Sequence, residues 1–424
     1  MFSSYFSKKI GDIAYLIKNE KFHVILAIIF LSFLPATLLM GSAIINVFSV
    51  CIIIFFIIDM WKGVEKFPND IFFYLLLIFW LSLIINLIFS NYLWASLPRS
   101  IGFGKFILFV FSIKYFFTYK KFKFEKIILE SWLVIFCVVS ADLLIEYFFG
   151  SNTLGFKAAM PGRLSGFLNQ ELKIGNFYYG FILISICTMH YHLQIKNKNN
   201  YIILFIILFL TISLIIGERA NFIRAIFASL LFIIYLGINL KKKFLIFGSI
   251  FLFIVLLLKF ENNFNTRIIA QVSNPIISKG YINYLKETQH GAHRDAARLI
   301  FKDNLFFGSG VKTFRYESAK EKYKNKEYLK TSWRISTHPH QIHWEFISET
   351  GIFGYSIFLI FFFLVIVDSV KKILKNKNLF ALSSLLFIIA TILPLIPSGS
   401  FFTTYTATIF WLNFAILSIY KEKK

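Results

Sequence analysis

Apolar runs separated by polar connections dominate the chain, near residues 23–40, 42–61, 71–90, 101–118, 127–149, 174–193, 201–217, 222–240, 244–260, 352–369, 379–396 and 401–420. Each approaches the length a helix needs to cross about 30 Å of hydrocarbon. The pattern predicts an all-α, polytopic integral membrane protein with about twelve transmembrane helices.

It is interrupted once. Between residues 261 and 351 polar residues mix with Phe, Tyr and Ile over a stretch far longer than any other connection, which predicts a folded outer loop with short helices. The expected organisation is nine helices over 1–260, the loop over 261–351 and three helices over 352–424. Within the loop, Ala297, Ile300, Phe301 and Leu305 recur at helical spacing. Arg294 and Arg298, four apart, share one face of that helix, and Gly308-Ser-Gly310 ends it. Residues 316–334, a mixture of Lys, Glu and Tyr, read as a solvated excursion with little chemistry.

Composition agrees with the pattern. The chain is 57% hydrophobic with a mean hydropathy of +0.69, which excludes a soluble catalytic domain. Its formal charge of +23 is unevenly spread. Lysines gather in alternate connections: Lys8, Lys9, Lys18 and Lys21; Lys62 and Lys66; Lys120, Lys121, Lys123 and Lys126; Lys196 and Lys198; Lys241 to Lys243; Lys371, Lys372, Lys375 and Lys377; Lys421, Lys423 and Lys424. By the positive-inside rule these face the cytoplasm, both termini included. The charge is then a product of membrane insertion, and no nucleic-acid partner is expected. Cys51, Cys137 and Cys187 fall within spans without metal spacing and read as packing residues.

Arginines follow the opposite rule. Arg99, Arg163, Arg219, Arg224, Arg267, Arg294, Arg298, Arg315 and Arg334 fall on the outer side or just below it. A guanidinium presents a planar fork of donors that matches phosphate oxygens, so an outward-facing phosphate-bearing ligand is the natural inference. Two arginines lie in short, distinctive contexts. Arg163 belongs to the Gly-rich connection Pro161-Gly-Arg-Leu-Ser-Gly-Phe-Leu-Asn169, and Arg219 to the tight turn Gly217-Glu-Arg-Ala-Asn221.

The densest chemistry is His338-Pro-His340-Gln341-Ile-His343-Trp-Glu345, three imidazoles and a carboxylate at the start of an apolar helix. Pro339 discourages helix at His338, so His340 sits where a new helix begins. A positive helix dipole there disfavours the charged imidazole and leaves a neutral general base. The three histidines are also close enough in sequence to suggest a metal site, but the Pro339 bend and the helix start set them against converging on one ion.

These residues resemble the O-antigen ligase and O-antigen polymerase superfamily of bacterial envelope enzymes. That family carries a His, then Asn, Ser or Gln, nine residues and Gly-x-x-Gly in its long outer loop, a spacing that His340-Gln341 with Gly351 and Gly354 matches. Phe301-Lys-Asp-Asn-Leu-Phe-Phe-Gly308-Ser-Gly310 and Gly-Glu-Arg219-Ala also look like family sequence.

The resemblance implies glycosyl transfer at the periplasmic face of the inner membrane, from a polyprenyl-diphosphate-linked glycan to a hydroxyl of a lipid core or glycan acceptor, with no cofactor and no metal. It gives His340 the part of base and Arg163, Arg219 and Arg294 that of diphosphate ligands, with His338, Arg298, Gln341 and Glu345 in support. The family's basic residue upstream of Gly-x-Gly matches His290, Arg294 or Arg298, with Arg294 preferred. Gln341 fits the ligase pattern, where polymerases usually carry Asn. A transporter or lipid flippase is the rival class, since Lys105, Lys114, Glu130, Asp142, Glu146 and Asp368 lie within spans. Pairing of Lys105 with Asp142 or Glu146, and of Lys114 with Glu130, is the expected structural explanation for them.

Overall fold

The structure is a computed structural model that describes residues 20–63, 71–119, 124–157, 159–192, 198–260 and 265–423. The basic residues Lys8, Lys9, Lys18, Lys66, Lys120, Lys121, Lys123, Lys196 and Lys424 lie outside these. The architecture is all-helical, with 77% of residues in helices and no strand among those described.

Helices α1 (Phe22–Met40), α2 (Ser42–Trp61), α3 (Ile71–Ile88), α4 (Leu93–Gly102), α5 (Gly104–Phe117) and α6 (Phe124–Phe149) form the first half. There follow α7 (Ile174–His192), α8 (Lys198–Ile215), α9 (Arg219–Tyr235) and α10 (Leu240–Phe260). The outer loop supplies α11 (Asn274–Lys279), α12 (Tyr281–Lys286), α13 (Gln289–Asp303) and α14 (Phe314–Glu317), before α15 (Ile342–Asn376), α16 (Leu379–Thr391) and α17 (Thr404–Tyr420) close the chain. Six stretches among the described residues, including the α4 and α5 pair, are long and apolar enough to cross a membrane. Large apolar side chains such as Phe33, Ile54, Ile78, Leu81, Ile360 and Phe363 are exposed along them. Water would penalise that belt, whereas acyl chains solvate it, and the protein is membrane-embedded.

Helix α17 is the axis of the bundle, buried around its whole circumference from Ala407 to Tyr420. It packs on α5, α16, α2 and α7. Trp411 sits against Phe103, Phe401, Phe410 and Phe414 with ring centroids 5.2 to 5.9 Å away. The phenylalanine-rich composition is thus spent on interlocking aromatic contacts.

Three expectations are refined. The connection between the last two apolar runs is longer than 397–400, running from Thr391 to Thr404, where Pro394 and Pro397 prevent continuous helix, and the segment folds back over the 261–351 connection. Residues 316–334 are mostly exposed or half-buried, as expected, but are anchored at Glu317, Tyr323 and Arg334, which are buried, the Arg334 guanidinium donating to the carbonyls of Thr331 and Ala319.

The third change concerns the charges within helices. Lys105 donates to Asn46 instead of meeting Asp142 or Glu146. Asp142 accepts from the Thr153 N–H at 2.9 Å, and Glu146 from the N–H groups of Ser165 and Gly166 at 3.1 and 2.7 Å. Both carboxylates therefore hold the Arg163 loop, whose backbone donors would otherwise be buried without partners. Glu130 has Lys126 of its own helix at 3.9 Å, and Asp368 bonds Lys421 and Lys372 at 2.8 and 3.0 Å.

Candidate active site

Residues 305–310 run beside the N-terminal part of α15 and hydrogen-bond to it as if to a partner strand. The N–H groups of Ser309 and Gly310 donate to the carbonyls of Ser348 and Glu349, and those of Ile352 and Phe353 to the carbonyls of Leu305 and Phe306, over 2.8 to 3.1 Å. Gly351 makes this exchange possible. Its φ of +64° and ψ of −168° interrupt α15, and a Cβ there would lie 2.4 Å from the Phe306 carbonyl. Gly308, at φ +68°, meets the backbone of Glu349 equally closely. Glycines at these two places are a packing requirement, and the clamp they permit fixes the outer loop on the bundle.

Above the clamp lies a cluster of four imidazoles. His290 and His293 lie on α13 and His338 and His340 on the segment before α15. Ring centroids are 4.0 Å apart for His338 and His340, 5.0 Å for His293 and His340, and 5.8 Å for His290 and His340. Burial first, then His290 and Lys312, hold the His340 imidazole down to about 4. Burial and then His340 and Lys312 take His338 to about 2, while burial and then His340 and His290 bring His293 to about 3. His290 is lowered by burial and then by Arg219. The cluster is uncharged at neutral pH because it is desolvated and ringed by positive groups.

Arg219 is the first residue of α9, and its charge reaches His290. The turn at Gly217 to Arg219 thus places a positive charge where it acts on His290 of α13. Arg163 lies alongside: it donates to the Leu172 carbonyl at 2.6 Å and pairs with Glu218 at 3.3 Å. Glu218 also accepts from the Gly175 N–H at 2.9 Å and from Asn221 at 2.7 Å, and burial raises its pKa against the pull of Arg163. Arg163 thus braces the turn that presents Arg219. Arg224, one turn further along α9, is buried and binds the carbonyls of Ala390, Ile396 and Pro397, holding the segment after α16 in place.

The local backbone at His340 departs from expectation. His340 has φ +56°, in the left-handed region, and its carbonyl accepts the Ser398 N–H at 2.8 Å. Gln341 is the helix cap: its side-chain oxygen accepts from the Trp344 N–H at 2.8 Å, and its nitrogen donates to the Pro394 carbonyl at 2.7 Å. His340 therefore stands just outside the helix, and burial first, then His290 and Lys312, disfavour its charged form.

The remaining predicted residues are distributed around this centre. Arg294 is exposed and lies over the Trp344 ring at 5.9 Å, and Arg298 pairs with Asp295 at 2.7 Å. Among the three upstream candidates, it is His290 that faces His340. His343 leaves the cluster entirely: one ring nitrogen meets the Tyr355 hydroxyl at 2.9 Å and the other the Ile392 carbonyl at 2.6 Å. The sequence triple of His338, His340 and His343 accordingly does not assemble. The rings of His338, His293 and His340 lie at shallow angles of 37° and 21° to one another, an imidazole stack rather than a convergent ligand set.

Glu345 is fully buried beneath His340, where it accepts from the Ser400 hydroxyl and, at 2.8 Å, from the Phe401 N–H. Lys312, which sequence reasoning passed over, is buried with its ammonium donating to Ser400 and 3.8 Å from Glu345. Its available signal was position: a lysine bracketed by the apolar Val311 and Phe314 directly after Gly310. A separate depression lined by His190, Asn199, Asn239 and Lys242 lies at the opposite end of α9 and takes no part in this cluster.

Chemically, the arrangement joins a neutral imidazole able to accept a proton to fixed positive charge. Comparison with known proteins returns no matching family model and no matching curated protein.

Proposed function

We propose that this protein is an O-antigen ligase-like membrane glycosyltransferase, moving a glycan from a polyprenyl-diphosphate carrier to the hydroxyl of a lipid-core or glycan acceptor at the outer face of a bacterial inner membrane. In this reading the chain crosses the bilayer about twelve times with both termini in the cytoplasm, and the lysine-rich connections lie inside. One observation carries it: His340 and the cationic Arg219, far apart in sequence, both bear on His290 at one end of the bundle.

The chemistry follows from the charges. The acceptor oxygen attacks the anomeric carbon, the bond from that carbon to the diphosphate oxygen breaks, and its electron pair leaves with the diphosphate. Arg219 stabilises the charge on the departing group. His340 takes the acceptor proton. An imidazole held at about 4 is by itself a weak base. A bound diphosphate offsets the positive charges that hold it there, so the base strengthens when the donor is seated.

The ionisable groups within helices favour the transferase over a transporter, because Lys105, Asp142 and Glu146 each have local partners in a helix or the Arg163 loop. Deletion followed by surface-glycan analysis tests the reading. Long unattached lipid-linked chains support a ligase, and single attached repeat units would instead mark a polymerase of the same superfamily. Loss of lipid-linked glycan from the outer leaflet, with transfer intact once it is supplied there, would overturn both in favour of a flippase.

A further inference from the structure

Lys312 and His340 share an uncommon property: both are non-glycine residues in the left-handed region, at φ +65° and +56°. Left-handed backbone is unfavourable for a residue that carries a side chain, so surrounding contacts must hold it. For Lys312 these are its own N–H, which donates to Glu349 at 2.7 Å, and its ammonium, which donates to Ser400. For His340 the contact is the Ser398 N–H. Ser398 and Ser400 belong to one turn, and Glu345 fastens that turn from below through Ser400 and the Phe401 N–H.

We propose that Lys312 is a positioning residue for His340, anchoring through Ser400 the turn that grips the His340 carbonyl and opposing with its ammonium a second positive charge on the imidazole. The proposal rests on the reading of His340 as the base but concerns a residue that reading does not use. The ammonium is buried, so contact with a large donor is not its task. It acts on His340 and on His338. Glu345, 3.8 Å from the ammonium, balances it. The other titratable groups around the His340 ring are His290 and His293 from α13 and His338 from its own segment, with Arg219 beyond His290.

The test is a pH titration of the His340 ring by NMR of the full chain, labelled with 13C-histidine in lipid nanodiscs, the signal being assigned by its loss in His340→Gln. Lys312→Met alone leaves Glu345 buried without its counter-charge and risks misfolding, so the informative variant is the charge-neutral pair Lys312→Met with Glu345→Gln. The His340 midpoint is expected to rise by about one pH unit in the pair and to stay at the wild-type value in Lys312→Arg. An unchanged midpoint in the folded pair overturns the proposal. Because the readout is a proton on His340 and not glycan transfer, it stands or falls separately from the proposed activity. A raised midpoint together with full transfer by His340→Gln would sink the reading of His340 as the base alone.

Discussion

The imidazole of His340 stacks on that of His293, with centroids 5.0 Å apart and planes inclined by 21°. One ring comes from the segment before α15 and the other from a helix turn of α13, so their contact joins the two halves of the outer loop. Charging either ring places a cation against its neighbour in a desolvated site, and the first consequences to test are those of protonation.

The predicted pH profile splits in two. Burial, His290 and Lys312 hold His340 down to about 4, so the acid limb of kcat/KM is expected near that value. With the donor's diphosphate bound, the imidazole becomes more basic and the acid limb of kcat moves to higher pH. Steady-state transfer from pH 3 to 8 measures both, and coincident limbs would contradict the charge-compensation argument.

Acid stability follows from the same groups, with a definite sign. His293, His338 and His340 titrate in the folded protein at about 3, 2 and 4, below the ordinary histidine value of 6.5. The unfolded chain therefore binds more protons between those values and 6.5, and stability falls as pH is lowered through that window. The loss is at most about 1.4 kcal/mol per pH unit for each imidazole. Thermal unfolding should be flat from pH 7 to 8 and decline below pH 6.5, with a shallower decline in His293→Gln. Equal slopes for the two proteins would refute the assignment.

Replacing His340 separates chemistry from backbone strain. His340→Asn keeps a residue that tolerates left-handed φ, so it is expected to retain wild-type thermal stability while transfer falls about 10²–10⁴-fold, the usual worth of a general base. Transfer above a tenth of wild type in a purified, folded His340→Asn would show that another group accepts the proton.

Arg163 and Glu218 are expected to be coupled. Arg163→Ala strands a buried carboxylate and should lower the melting temperature, whereas adding Glu218→Gln restores part of the loss. A double-mutant cycle should give about 1–3 kcal/mol of coupling. Strict additivity would mean that Arg163 is held by its Leu172 carbonyl bond instead.

Gly351→Ala and Gly308→Ala each bring a Cβ within 2.4 Å of opposing backbone. A cost of about 1–3 kcal/mol from the unfavourable φ alone predicts reduced folded yield and faster proteolysis of the outer loop. Unaltered proteolysis would show that residues 305–310 are not clamped as described.

Much of this was legible from the chain. The apolar runs correspond to helices, and the helical spacing of Ala297 and Ile300 found α13. His340, His290 and Arg219 stand out because imidazoles and arginines are scarce in a lysine-rich protein. What escaped reading depended on pairing across long separations. Asp142 and Glu146 face loop amides rather than Lys105, since backbone donors leave no trace in side-chain chemistry. Lys312 and Ser400 lie in segments without periodicity and meet only when the clamp and the Pro394 turn are folded. Arg294, the preferred match among His290, Arg294 and Arg298, follows His293 on α13, and on a helix that single step turns it some 100° from the face that His293 presents to His340.

The interruption at Gly351 also bears on mechanics. An uninterrupted α15 would transmit any tilt of its lipid-facing shaft, residues 352–376, straight to Glu345 and the cap at Gln341. With the helix broken there, backbone groups on both sides of the break, Ser348 and Glu349 before it and Ile352 and Phe353 after it, are bonded to residues 305–310, so the two parts of α15 are joined through the neighbouring strand-like segment as well as through their own chain.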